Sequence, residues 1–518
     1  MSQQEKFEEE INLGYTFKKD SILLGGAMID GKAITDLQIK APLKTFNRHG
    51  LIAGATGTGK TKTLQNIAER LSEKGVPVLM MDVKGDLSGL SQASEGHPKI
   101  DERHQMIGSP WEGKAYPVKL LSISEQDGTR MRATISEFGP VLLSKILELN
   151  AVQSGIVSII FKYCDDKKLP LLDIKDFRKV LQYISGDGKK EIEEHYERVS
   201  PSSVGAIMRA LITIEEQGAD LFFGETSFDV DDLLRVDDRG MGYINILRLD
   251  DIQSKPKLFS TFMLCLLAEI YETFPEQGDS GRPELVIFID EAHLIFEEAS
   301  KALLNQIETI VKLIRSKGVG LFFVTQNPTD VPEDVLAQLG MKVQHALGAF
   351  TAKDRKAIKL TSENYLITEY YEVDELLTQL GIGEAIVTVL NEKGIPTSLA
   401  HTLLTATSSR MDVITEKEKK EVLNNSEIIK KYNEEIDRES AYEVLNKKLK
   451  AVEELAEKEE KSAKKTNTRK KSTRKEKSTF EKVVNSTAGR TVLREVTRGL
   501  LGILGISSTR RKKGLFGF

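Results

Sequence analysis

Apolar positions along the chain fall into three rhythms, each predicting a different element. Short unbroken apolar runs bounded by glycine, proline or acidic residues predict buried strands: HGLIAGA (49–55), VPVLMMDV (76–83), MGYINILRL (241–249), LVIFIDEA (285–292), GVGLFFVTQ (318–326) and EAIVTVL (384–390). Alternation around Gly and Asp turns in LLGGAMIDGKAI (23–34) and DLQIKAP (36–42) predicts two further strands near the start. Helical spacing governs SEFGPVLLSKILELNAVQSGIVSIIFKYCDD, DIKDFRKVLQYI and VGAIMRALITIEEQG, all between 125 and 220. It also predicts a helix from Lys60 to Lys74, closed by Gly75 and Pro77, and one starting near Pro332. Strand, helix and strand within about 35 residues form a βαβ unit, which requires a parallel sheet.

These elements divide the chain. Residues 1–45 form a short N-terminal β element, 46–124 the first part of an α/β core, 125–225 an all-helical insertion and 226–410 the rest of the core. Residues 411–460 are a charged helical extension in which Leu445, Leu449, Val452 and Leu455 make one apolar stripe. Residues 461–518 are a basic low-complexity linker and a terminal amphipathic helix, GRTVLREVTRGLLGILG. No internal repeat is present.

Composition narrows the classes. Of 518 residues, 40% are hydrophobic and 29% charged, which supports a sizeable core and excludes wholesale disorder. No uninterrupted apolar run approaches the roughly 18 residues of a membrane span, and MSQQEKFEEEINLGY lacks the apolar region of a secretory signal. The two cysteines, Cys164 and Cys265, exclude a disulfide scaffold or a cysteine-cluster metal site and fit a reducing cytoplasm.

The net charge of −5 conceals an asymmetry. Residues 461–518 hold 17 Lys and Arg against 3 Asp and Glu, whereas the preceding 460 hold 56 against 75. Such a tail binds nucleic-acid phosphates or anionic lipid, or merely tethers the terminal helix. Arg490, Arg494 and Arg498 form one stripe of that helix, and Val492, Val496, Leu500 and Ile503 another, which suits docking to a protein or nucleic acid better than a membrane surface.

The candidate chemistry begins at Gly54-Ala55-Thr56-Gly57-Thr58-Gly59-Lys60-Thr61, a G-x-x-x-x-G-K-[ST] loop between a predicted strand and a predicted helix. Glycines let backbone N–H groups turn inward around phosphate oxygens, and the helix N-terminus adds partial positive charge. Lys60 is expected to reach the β- and γ-phosphates of ATP and Thr61 to hold Mg²⁺, with Lys62 completing the nucleotide-binding stretch. Asp290 and Glu291 end an apolar strand; Asp290 is expected to orient Mg²⁺ and Glu291 to act as general base toward water. His293 fits a first-turn helix residue better than a catalyst. Gln326, at the tip of a third strand, is expected to sense the γ-phosphate or position water. Arg48, Arg315 or both are candidates to stabilise transition-state charge, in cis or from a neighbour. Asp82, Lys84 and Asp86 follow the second core strand, either as a polar turn or as a coupling element.

NRHGLIAGATGTGKT, MMDVKGDLSGL, IFIDEAHLIF and VTQNP, in this order, resemble the HerA–FtsK superfamily of P-loop ATPases, and within it the HerA-like helicase group typified by bacterial YjgR. The resemblance implies a RecA-like P-loop NTPase core and a hexameric ring with nucleotide at subunit interfaces. It implies phosphate and Mg²⁺ roles for Lys60 and Thr61, the acidic pair at Asp290 and Glu291, and the sensor at Gln326. It also implies that Arg48 acts on the neighbour's nucleotide and that Arg315 lies near the same phosphates. HerA proper carries a larger N-terminal β-barrel, and the helical insertion and basic tail have no counterpart in it. The resulting expectation is a Mg²⁺-dependent, ATP-hydrolysing ring that translocates or unwinds double-stranded DNA. The alternative is a P-loop ATPase acting on a protein partner, or an oligomeric switch anchored by its tail.

Overall fold

The structure, a computed structural model, describes residues 2–466 apart from 253, 254, 279, 297–300, 350, 435, 437 and 438. The predicted terminal helix, most of the basic tail and the Leu455 side chain lie outside the described residues.

By internal contacts the chain forms two units. The first comprises residues 1–133, 142–148 and 212–436. Its frame is a 12-stranded sheet: β1 Ser21–Ile29, β2 Lys32–Pro42, β3 Gly50–Ala53, β4 Val78–Asp82, β5 Val118–Ser122, β6 Thr129–Arg130, β7 Ile244–Arg248, β8 Leu285–Ile289, β9 Val319–Thr325, β10 Met341–Gln344, β11 Glu384–Thr388 and β12 Ala400–Leu404. The order is β2-β1-β12-β11-β10-β3-β9-β8-β4-β7-β5-β6. From β10 to β6 every pairing is parallel. From β2 to β10 every pairing is antiparallel.

Five of the six apolar runs became parallel strands, with β3, β4, β8 and β9 buried along their whole length as strands covered on both faces must be, whereas EAIVTVL became β11, antiparallel to both its neighbours. Phe322 on β9 marks the centre of this packing. Its ring stacks on Phe46 at 5.5 Å and lies 5.1 Å from that of Phe288. Gly50 makes room for it on β3, where a Cβ would come within 2.3 Å of Phe322 Cε1.

The N-terminal β element differs from the expectation. It opens with a helix, α1 Gln3–Tyr15, whose Phe7, Ile11 and Tyr15 are buried, and β1 and β2 join the main sheet. Tyr15 donates to the carbonyls of Ser398 and Val387, fastening α1 near β11 and β12.

Helix α2, Lys60–Glu73, has two buried sides. Its apolar side faces the core, and its polar side is covered by the segment after β12. Asn66 donates to the Ala406 carbonyl at 2.9 Å. Glu69, fully buried, accepts from the N–H groups of Ser408 and Ser409 and from the Ser409 hydroxyl. Burial raises the Glu69 pKa, and these hydrogen bonds oppose the rise. Asn66 and Glu69 therefore have the partners that low-dielectric surroundings demand.

Among the described residues the second unit comprises 134–141, 149–211 and 439–466. Within it the helix Ala441–Thr466 packs on the helix Ile174–Ser185. Asp176 joins them: its carboxylate accepts from the N–H of Tyr442 and of Leu172. Thus the C-terminal charged helix and most of the helical insertion share one unit, with Leu445 and Val452 of the predicted stripe buried. Among the described residues no helix is long and apolar enough to cross a membrane, and no three His, Cys, Asp or Glu side chains cluster as metal ligands.

Candidate nucleotide site

The carboxyl ends of the parallel strands set the geometry. Ala53 pairs with Thr325, Ile289 with Phe323 and Met81 with Ile289. The loops after β3, β9, β8 and β4 therefore leave the sheet side by side, at the edge where open α/β sheets bind ligands.

The glycine loop runs from Gly54 to Gly59, with Gly54, Gly57 and Gly59 at φ 151, 80 and 111. Gly54 passes against His345, where a Cβ would lie 2.5 Å from the histidine Cβ. The base of the loop is tied down: Gly54 N–H donates to Thr325 O and Ala55 N–H to Ala346 O. Thr58 closes the turn by donating its hydroxyl to Ala55 O, and its own carbonyl accepts from Gly383 N–H. Thr56 and Gly57 are exposed at the crest, and Thr61 is half-buried in the first turn of α2.

Lys60 curls over the loop, with Nζ 2.5 Å from Gly54 O and 3.0 Å from Ala55 O. Its pKa is lowered, by burial first and then by Lys84, while Glu291 and Asp290 act the other way. Gly59 leads into α2 with no side chain capping its N-terminus, so the fit to an anion is good. Lys62 departs from its expected place. Its ammonium donates to Gln65 Oε1 and Met411 O, because a lysine two residues into the helix is turned toward the segment after β12.

The acidic pair follows β8 directly. Asp290 is 3% exposed, its Oδ2 is buried without a hydrogen-bond partner, and burial raises its pKa to about 6, with Lys84 opposing and Glu291 adding to the rise. An orphaned buried carboxylate oxygen beside a phosphate loop suits an Mg²⁺ shell. Glu291 holds φ 47, a left-handed conformation costly for a residue with a side chain and concentrated at functional sites. Glu291 Oε1 is 2.6 Å from Lys84 Nζ. His293 Nδ1 lies 3.3 Å from Oε2 but is not aligned to donate to it. Gln326 is exposed at the tip of β9, next to the glycine loop in register.

The turn after β4 had two readings. Asp82 is buried and accepts from the N–H groups of Gly85, Asp86 and Leu87, which is a structural turn. Burial raises its pKa to about 7 against those hydrogen bonds. Lys84, at the crest of the same turn, reaches Glu291. The spacing alone gave no signal for that pairing, because it depends on β4 and β8 being neighbours.

Arg48 and Arg315 stand elsewhere. Arg48 ends the 3-10 turn Leu43–Arg48 before β3, and Arg315 follows the helix Lys301–Ile314 before β9. Both line a cleft of about 530 Å³ at the amino ends of the strands, with Lys312 and Lys342. The glycine loop lies at the carboxyl ends, across the sheet. His49, not singled out from the sequence, anchors this edge. Its Nε2 donates to Val311 O at 2.8 Å and its Nδ1 accepts from Leu321 N–H at 3.0 Å. Burial lowers its pKa to about 4, opposed by that Val311 bond and aided by Arg315. His345, likewise unforeseen, backs the glycine loop, with Nε2 2.9 Å from the Thr63 hydroxyl.

The profile of the helicase HerA-like C-terminal family matches residues 28–512. The chain is similar to the DNA double-strand break repair helicase HerA of Sulfurisphaera tokodaii, 24% identical over 385 residues that cover 73% of this chain and 70% of that protein. It is also similar to HerA of Sulfolobus acidocaldarius, 23% identical over 373 residues, covering 71% and 68% respectively. Among solved structures it is similar to the plasmid coupling protein TrwB bound to a non-hydrolysable ATP analogue, with a TM-score of 0.50, 16% identity, and 77% and 99% of the two chains covered. At that identity the likeness is one of fold: an α/β P-loop sheet.

Proposed function

The chain belongs to the helicase HerA-like C-terminal family, and from that premise we propose that it is an ATP-hydrolysing motor that forms a ring and translocates or opens double-stranded DNA. Its main support is the parallel register of β3, β9, β8 and β4, which gathers the glycine loop, Gln326, Asp290 and Glu291 at one edge. The loop and the uncapped start of α2 bind the triphosphate. Lys60 gives up the Gly54 and Ala55 carbonyls for the β- and γ-phosphates. Thr61 and Asp290 would hold Mg²⁺, which when bound neutralises phosphate charge. Glu291 accepts the proton of the attacking water and Gln326 orients that water. Arg48 and Arg315, across the sheet from their own loop, serve the nucleotide of the next subunit. That is a head-to-tail contact, which forms a ring when its rotation closes. Both HerA relatives are DNA repair helicases, which favours a duplex track.

Steady-state hydrolysis with and without linear duplex DNA tests this, using the full chain and a chain ending at residue 460. DNA is expected to stimulate both several-fold. Lys60→Ala is expected to lose ATP binding, and Glu291→Gln to bind ATP without turnover. Unimpaired turnover in either variant would sink the site assignment. The acidic balance of residues 1–460 favours a second reading, a protein-directed ATPase; robust hydrolysis indifferent to DNA would select it.

A further inference from the structure

Lys84 joins the two halves of the site. Its ammonium contacts Glu291 Oε1 at 2.6 Å, and it interacts electrostatically with Asp290 and Asp86 on one side and Lys60 on the other. The contact is built into the backbone on both sides. The Asp82 carboxylate gathers three successive N–H groups, and Gly85 turns at φ 75, presenting Lys84 toward the neighbouring β8 loop. Opposite it, the left-handed backbone of Glu291 carries its carboxylate to meet the lysine.

This contact is at odds with the role assigned to Glu291. An ammonium at contact distance occupies the Oε1 lone pair that would take the proton of water, and Oε2 has His293 beside it. A base held this way works only after the ammonium leaves. The lysine has a long, flexible, partly exposed stem, with 37% of the side chain accessible. A triphosphate bound at Lys60 carries more negative charge than one carboxylate and sits within the same electrostatic neighbourhood.

We infer that Lys84 is a phosphate-responsive latch: it holds Glu291 until a γ-phosphate arrives, then transfers its ammonium to that phosphate and leaves Glu291 free to accept a proton from water. This rests on the reading of Glu291 as base and of Gly54–Thr61 as the triphosphate loop. No proton moves in the transfer; the lysine stays an ammonium and the glutamate a carboxylate. In the step that follows, a water O–H bond breaks and its proton goes to Glu291. The water oxygen bonds to the γ-phosphorus, and the bond from that phosphorus to the β-bridging oxygen breaks, giving ADP and phosphate. Lys84 is a positioning residue for the base, and it distinguishes ATP from ADP, which lacks the group that draws it away.

Amine acylation of the full chain, quantified at Lys84 by mass spectrometry, reads the latch without relying on turnover. Glu291→Gln is expected to raise Lys84 reactivity at least about twofold when no nucleotide is added, because a neutral amide holds an ammonium less firmly. A non-hydrolysable ATP analogue is expected to protect Lys84 in both proteins, and ADP to leave it as reactive as before. By titration, Lys84→Met should weaken the analogue about tenfold, as loss of one charged contact does, with ADP affinity within about twofold and Lys84→Arg recovering most of the loss. Equal protection by ADP and the analogue, or unchanged reactivity in Glu291→Gln, overturns the latch. If the chain binds neither nucleotide, or binds them equally in Lys60→Ala, the loop assignment fails and the latch with it. Binding that depends on Lys60 but shows no ATP-specific protection defeats the latch alone.

Discussion

Asp290 sets folding against chemistry at a single carboxyl. Burial raises its pKa from 3.8 to about 6, so the folded protein holds this proton more tightly than the unfolded chain does. For such a group stability increases as pH falls through about 6, and the charged form costs stability above it. Asp290→Asn is therefore expected to raise the melting temperature at pH 7.5 by roughly 2 °C or more while abolishing hydrolysis. The gain should shrink toward pH 5; calorimetry across that range checks it, and an unchanged or lower value at pH 7.5 would speak against the burial cost. At this scale the sequence was readable where spacing alone carries geometry. Lys60 and the 290–291 pair are held by a contiguous loop or a strand tip. It was unreadable where a contact crosses the fold. Lys62 directly follows the motif yet turns to Met411, and Lys84 finds Glu291 only through the β4–β8 pairing. Glu69 looks solvated on a helical wheel but is fully buried beneath residues 408 and 409.

The central strands were legible because strands buried on both faces need unbroken apolar runs. The apolar runs of β10, MKVQ, and β12, AHTLL, are each broken by two polar residues, which hides them in the sequence. Gln344, His401 and Thr402 are nonetheless buried there. Helix α1 was hidden by its glutamates, although Phe7, Ile11 and Tyr15 recur every four residues and carry its buried face. The packing that fixes the strand register, and hence the site, centres on Phe322 between Phe46, Phe288 and the bare backbone of Gly50. Phe322→Ala is expected to cost roughly 3–5 kcal/mol, as large-to-small changes in tight cores do, and to loosen the glycine loop that follows β3. Thermal unfolding together with nucleotide titration reads both effects. A melting temperature within about 1 °C of the parent would show that the ring is not a keystone.

On the scale of the molecule, the separation of the two arginines from the glycine loop makes a demanding test possible. If each site takes its loop from one subunit and its arginines from the next, Lys60→Ala and Arg48→Ala chains are both inactive alone. Equimolar mixing with subunit exchange should restore about a quarter of the sites, the fraction in which an intact loop meets an intact arginine across a head-to-tail contact. The same holds for Arg315→Ala, and mixtures no more active than their components would return both arginines to a role in surface solvation. A feature of the sheet itself bears on how such a chain is made. β1 pairs with β12, with Ala27 opposite Thr402, so strands far apart in the sequence lie side by side. A ribosome adding about 5–20 residues per second delivers that partner roughly 20–75 s after Ala27. Over that interval the β1–β2 hairpin carries a bare edge. Shielding of that edge during translation is therefore expected to raise the share of copies that reach the finished sheet.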